Sequence, residues 1–187
     1  RYSSLALMDR AGILDFDGIP IYQDAAFKFN FPTKKAGTFS LIGLGGISKI
    51  VQTDQNDSTG QLYGIYDFKA NLGVVGLKHT YIVNPKFYLK SFVSASTQYN
   101  GGEGQFLNQD SVLFLSEREG FTDNNIKVQT IANYKVNQKN IFQLGATYTH
   151  LNYNFFEEDD YDDEDGVMTR TTDSKGGTDM LQSFLSW

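Results

Sequence analysis

The chain has 187 residues and a net charge of −6, with 15 Phe, 11 Tyr, 18 Gly and only 3 Pro. This composition favours β-strands over helices, and the length is enough for one domain with a sizeable core. The absence of cysteine excludes disulfides and thiolate metal sites. The acidic balance argues against a nucleic-acid partner, because binding phosphates requires a basic surface.

The sequence contains no apolar run of about 18 residues, so we expect no membrane-spanning helix. The strands of a β-barrel alternate in polarity and escape that test. Residues 1–4 lack the charged segment and apolar core of a signal peptide. We therefore expect either a mature chain or the interior of a longer protein.

Eight strands are predicted, because apolar and polar residues alternate along much of the chain and helical periodicity is nearly absent. The clearest alternation covers 126–136, where Val128 and Tyr134 share one face and Lys127 and Asn133 share the other. In chain order, the predicted strands are about 2–8, 24–32, 37–52, 65–83, 87–99, 126–136, 140–156 and 178–187. Several of them exceed the usual five or six residues of a soluble strand.

Short and long connections alternate along the sequence. Tight turns are predicted at 33–37, 84–86 and 137–140, and long polar loops at 9–23, 54–62, 100–125 and 157–177. This asymmetry is typical of outer-membrane barrels, in which every strand has to pair because lipid offers no hydrogen bonds. Aromatic residues near strand ends, among them Tyr134, Phe142 and Trp187, suit an interfacial girdle. We predict an all-β fold, with residues 1–187 forming one segment of an antiparallel transmembrane β-barrel.

Three strand segments carry a resemblance to a known family: 22–41 (YQDAAFKFNFPTKKAGTFSL), 71–80 (NLGVVGLKHT) and 179–187 (DMLQSFLSW). They resemble the barrel of TonB-dependent outer-membrane receptors of the Bacteroidetes type, and the resemblance extends over most of the chain. It implies a location in the bacterial outer membrane and a 22-stranded barrel whose lumen holds a plug domain. The chain shows no plug and no energy-coupling segment near its start, so we expect it to be part of such a barrel.

The same resemblance implies a function in energy-coupled uptake of a scarce nutrient, namely a metal chelate, a glycan or a peptide. The expected partners are outer-membrane lipid, the plug domain, an inner-membrane energy-coupling complex and a surface lipoprotein. Ligand capture would then fall to the long loops, with Tyr99, Phe106 and Tyr161 as candidate contacts. Polar residues of 127–149, such as Gln129 and Thr147, would face the lumen.

Two other interpretations stay open at this stage. Eight strands can close a complete small barrel with a structural or adhesive role. Alternatively, the strands form a soluble β-sandwich, in which Val128, Leu144 and Leu185 would be hidden between two stacked sheets. The first interpretation, part of a receptor barrel, is favoured over both because of the alternation of short turns and long loops and because of the family resemblance.

The acidic run at 157–165 (EEDDYDDED) is the strongest local anomaly. Carboxylate oxygens suit Ca²⁺, so the candidate ligands are Asp159, Asp160, Asp162, Asp163 and Asp165. The spacing matches no known calcium loop, and a solvated loop is the favoured interpretation. His79 and His150 have no ligand partner at a suitable spacing. Because no nucleophile motif or phosphate loop is present either, we predict that the protein is not an enzyme and needs no cofactor.

Overall fold

The structure, a computed structural model, describes residues 3–4, 7–8, 11–13, 18–55, 60–108, 111–160 and 168–187. These residues form seven antiparallel strands in a single sheet, in which the strands follow one another in chain order. The strands are β1 (Ile21–Pro32), β2 (Thr38–Gln55), β3 (Leu62–Asn84), β4 (Phe87–Leu107), β5 (Leu113–Lys135), β6 (Ile141–Asp159) and β7 (Thr169–Ser186). The predicted all-β, antiparallel fold is therefore confirmed.

The prediction of eight strands was wrong, because the segment 2–8 contributes no strand to the described residues. Ser4, Leu7 and Met8 have helical backbone conformation. The amide of Leu7 donates to the carbonyl of Ser3 at 3.3 Å, four residues back, as in a helical turn. Leu, Ala and Met are strong helix formers, and their propensity outweighs the short alternation from which the strand was predicted.

The three tight turns were predicted correctly. At the first, the amide and the hydroxyl of Thr33 both donate to the carbonyl of Gly37, at 2.8 and 2.7 Å. Gly37 has a φ of +81°, which is unfavourable for residues with a side chain. At the other two turns, the side-chain oxygens of Asn84 and Asn137 accept backbone amides two residues ahead, both at 2.9 Å.

Two of the predicted long loops were wrong over much of their length. Within 100–125, β4 continues to Leu107 and β5 begins at Leu113. Within 157–177, β6 continues to Asp159 and β7 begins at Thr169. These polar extensions form strands because each backbone has a neighbour to pair with, so polarity alone does not end the sheet.

The sheet has two distinct faces. On β6, Leu144 on the first face is 58% exposed, whereas Thr149 on the second face is 3% exposed. We name the face of Leu144 the convex face and the face of Thr149 the concave face, and strand register extends the two names to the other strands.

The described strands form one layer, and β1 and β7 are not paired with each other. Val128, Leu144 and Leu185, which a sandwich would hide, are 42%, 58% and 73% exposed. Closure of the sheet into a barrel stays a prediction. In the part of the chain that the structure describes, no helix has the length and apolar character needed to cross a membrane.

Candidate functional site

An apolar band covers the half of the convex face nearest the short turns. Strand register aligns its side chains in rows across the sheet, and one row contains Phe29, Leu41, Leu77, Val93, Val128, Tyr148 and Leu181. Most of these side chains are exposed, and Leu181 reaches 79%. The band extends along β6 from Phe142 to the row of His150, which is eight residues or roughly 26 Å along the strand.

Aromatic rings border this band at the short-turn end. His79 stacks on Phe39 with ring centroids 4.3 Å apart, and its Nε2 lies 2.6 Å from the carbonyl oxygen of Ala36. The indole of Trp187 stacks on Phe142 and donates to Asn140 at 3.1 Å. These rings combine an apolar body with a polar contact towards the turns, as is typical of residues at a boundary between apolar and aqueous surroundings.

Polar side chains pair across the concave face of β5 and β6. Gln143 donates to Asn133 at 2.7 Å, and Gln129 donates to Thr147 at 3.0 Å. Asn133 is 1% exposed. The predicted grouping of these residues, with Lys127 and Thr149, on one face agrees with the register.

Charged side chains are sorted between the two faces and the two ends of the sheet. Among described strand residues, the concave face is acidic at the long-loop end and basic at the short-turn end. The acidic set is Asp24, Asp54, Glu117, Glu119, Asp123, Glu157 and Asp159, and the basic set is Lys28, Lys78, Lys90, Lys127 and Lys135. On the convex face, the basic strand residues all lie in the long-loop half, and acidic residues accompany them there. The basic set is Lys49, Lys69, Arg118, Arg170 and Lys175, and the acidic set includes Asp67, Glu103, Glu158 and Asp173.

An ionic row crosses the convex face of β4 to β7, beyond the apolar band. Glu103, Arg118, Glu158 and Arg170 lie directly opposite one another on successive strands, with alternating charge. Arg118 and Arg170 both bind Glu158, and Arg170 donates to it at 2.9 Å. Hydrogen bonds from Arg118 and then Arg170 hold the pKa of Glu158 below its ordinary value. Hydrogen bonds to Glu158 and Asp173 in turn raise the pKa of Arg170.

Carboxylates lie close together on the concave face in the neighbouring rows of these strands. Burial and the negative charges of Glu119 and Glu157 raise the pKa of Glu117. Tyr66 donates to Glu119 at 3.1 Å, and burial together with that carboxylate raises the pKa of Tyr66 to about 12. The carboxylates therefore repel one another and favour a positively charged neighbour.

The candidate ligand contacts do not lie together. Tyr99 is on the convex face of β4, opposite Asn71 and Thr122. Phe106 lies near the end of the same strand, where its ring is 5.9 Å from that of Tyr63. Tyr161 lies outside the described residues.

The candidate calcium ligands are only partly described. Asp159 ends β6 on the concave face. Asp160 is 4% exposed, and its amide donates to the carbonyl of Ser116 at 2.8 Å. Asp162, Asp163 and Asp165 lie outside the described residues. Within the described ranges, no group of three or more His, Cys, Asp or Glu side chains could hold a metal ion.

His150 has partners that sequence spacing did not reveal. Its Nδ1 lies 2.6 Å from Asp179, which also accepts the hydroxyl of Tyr148 at 2.8 Å. Asn152 lies 2.8 Å from the other ring nitrogen. All four residues are on the convex face, at the edge of the apolar band. Comparison with protein-family models, curated proteins and solved structures found no match.

Proposed function

We propose that this chain forms part of the wall of a transmembrane β-barrel in a bacterial outer membrane. The observation that supports this proposal is the exposed apolar band on the convex face. Leu181, Leu185 and Trp187 are 79%, 73% and 81% exposed there. A predominantly apolar surface of this extent is unfavourable in water, and lipid is a solvent that would cover it.

The dimensions of the band support the same environment. Its length of roughly 26 Å along a strand corresponds to about 20 Å of height at the usual barrel tilt of 35–45°. This is close to the apolar height of about 25 Å of outer-membrane barrels. The aromatic rings of Phe142 and Trp187 at one border would lie at the membrane interface.

The role we propose is that of a receptor or transporter barrel for energy-coupled uptake of a scarce nutrient. The polar concave face, with pairs such as Gln129 and Thr147, would line an aqueous lumen or contact a plug domain. The plug, an inner-membrane energy-coupling complex and a surface lipoprotein are the partners that this role requires. In the part of the chain that the structure describes, no strand pairs with the outer edge of β1 or β7. This supports further strands over a complete small barrel, because an open edge in lipid leaves backbone groups without partners.

Cysteine labelling tests the membrane assignment, since the chain has no cysteine of its own. We would introduce Val128→Cys and Leu144→Cys on the band and Lys127→Cys on the concave face, then add a polar maleimide to membranes containing the protein. We expect Lys127→Cys to react and both band variants to stay unlabelled until detergent is added. Equal labelling of all three sites in membranes would rule out lipid contact.

A further inference from the structure

We infer that the convex face binds a membrane lipid with an anionic phosphate headgroup. The binding site lies on β2 and β3, on the long-loop side of the apolar band. This inference rests on the proposed membrane location and specifies a binding partner within it. Three features of the described residues support it: an apolar groove, a pair of lysines beyond the groove, and the sorting of charge between the two faces.

The groove crosses the convex face at the border of the apolar band that is nearer the long loops. It has a volume of about 620 Å³ and is lined on β1 to β3 by Phe27, Gly43, Val75 and the small residues Ala25, Gly45 and Gly73. Gly45 and Gly73 lie directly opposite each other. The groove is therefore continuous with the surface that would contact hydrocarbon.

Lys49 and Lys69 lie directly opposite each other on the same two strands, four residues beyond Gly45 and Gly73. That spacing corresponds to roughly 13 Å along a strand. The lysine side chains are 46% and 40% exposed, and their ammonium groups lie 2.5 and 3.8 Å from the carboxylate of Asp67. The ammonium group of Lys69 also lies 3.6 Å from Glu103. Exposed ion pairs of this kind are weak, so both ammonium groups can also bind a phosphate.

The distribution of charge favours the convex face over the concave face for an anion. In the long-loop half, the described strand residues place Lys49, Lys69 and the other basic side chains on the convex face, where carboxylates such as Asp67 and Glu103 accompany them. The concave face at this level has acidic side chains such as Glu117 and Glu119. An anionic group near this end of the sheet therefore meets cations only from outside.

The order of surfaces along β2 and β3 matches the order of groups in a lipid. Apolar residues such as Leu77 come first, then the small residues at Gly45 and Gly73, then Asn71 opposite Ile47, and finally the two lysines. The acyl chains, the glycerol region and the phosphate of a phospholipid follow one another in the same order. An amphipathic helix lying across the groove would leave the lysines without a role.

The test is native mass spectrometry of the full 187-residue protein extracted in mild detergent. The probes are palmitoyl-oleoyl phosphatidylglycerol and the diacylglycerol with the same chains. We expect retention of the phosphatidylglycerol alone, and roughly fivefold lower retention by the double variant Lys49→Gln/Lys69→Gln. Near an anionic lipid each lysine contributes about that factor, and Asp67 and Glu103 offset part of the positive charge of the pair.

A matched control has the same charge change on the concave face, Lys78→Gln/Lys90→Gln, and should retain the lipid normally. Gly45→Leu should fill the groove and lower retention, because a Cβ at this position has only a backbone oxygen at 3.6 Å near it.

Equal retention of both probes, or equal losses in the two double variants, would overturn the inference. A protein that stays in the aqueous fraction without detergent refutes the membrane proposal and this inference together. A protein that requires detergent but has no phosphate preference refutes only the inference.

Discussion

Replacing Ala146 with arginine is the most direct energetic test of the apolar band. Ala146 is exposed on the convex face of β6, four residues from Phe142 and four from His150. It therefore lies at mid-height of a band about 20 Å tall, roughly 10 Å from either border. An arginine at the middle of a lipid-facing barrel surface costs about 2–4 kcal/mol, whereas near an interface the cost is about 0–1 kcal/mol.

The control is Asn124→Arg, which puts the same side chain on the same face, one row beyond the band and opposite Asn152. Ala146→Leu separates the effect of size from that of charge and should leave stability unchanged or slightly higher. The measurement is urea unfolding in phosphatidylcholine vesicles, followed by the fluorescence of Trp187, the single tryptophan. We expect Ala146→Arg to lower the free energy of unfolding by about 3 kcal/mol and Asn124→Arg by about 1 kcal/mol or less.

The refuting result is equal stability of the two arginine variants. On a water-exposed sheet, both substitutions would change stability by no more than about 0.5 kcal/mol, because neither replaces a buried group. The expected difference of about 2 kcal/mol between the two arginine variants corresponds to a roughly thirtyfold difference in the folding equilibrium, which urea titration resolves easily.

Three further predictions concern the turns and the charged groups. Gly37→Ala should lower the free energy of unfolding by about 2 kcal/mol more than Gly60→Ala, since both have positive φ but only Gly37 would bring a Cβ against a backbone carbonyl. The pKa of Glu158 is lowered from its ordinary value of 4.5 in the folded protein, so the wild-type protein should lose stability as the pH falls below 4.5. Glu158→Gln should lose less stability over the same range of pH below 4.5, as measured by urea unfolding. Glu119→Gln should bring the pKa of Tyr66 down from about 12, although burial still keeps it above 10.0, as measured by NMR of the ring carbons.

The strands and tight turns were predictable because their signals are local. Alternation over 126–136 correctly predicted a strand and the opposite faces of Val128 and Lys127. The turn residues Thr33, Asn84 and Asn137 bond to backbone groups within four positions of themselves, so their role can be inferred from short stretches of sequence.

The outer halves of β4 to β7 were not predictable in the same way. Glycines and charged residues near Gly101 and Glu103 are common in loops, and the sequence alone does not show that Gly101 lies opposite Gly120 or Glu103 opposite Arg118. The pairing partners are distant in sequence, so only the strand register of the structure shows which residues stabilise one another. The candidate contact Phe106 was predicted to lie in a loop and Tyr99 at the end of a strand that borders it, and both lie within β4 instead.

The sorting of charge by face also explains what fixes the register where the apolar pattern ends. Neighbouring residues on a strand point to opposite faces, so Glu117 and Glu119 are concave while Arg118, between them, is convex. A slip of one residue between β5 and β6 would move Glu158 to the other face. A slip of two would keep the face but put Arg118 opposite Phe156 or Asp160 and leave Glu158 without Arg118. The ionic row thus favours a single alignment of the polar strand ends, and this alignment keeps Arg118 and Arg170 beside Glu158 on the convex face.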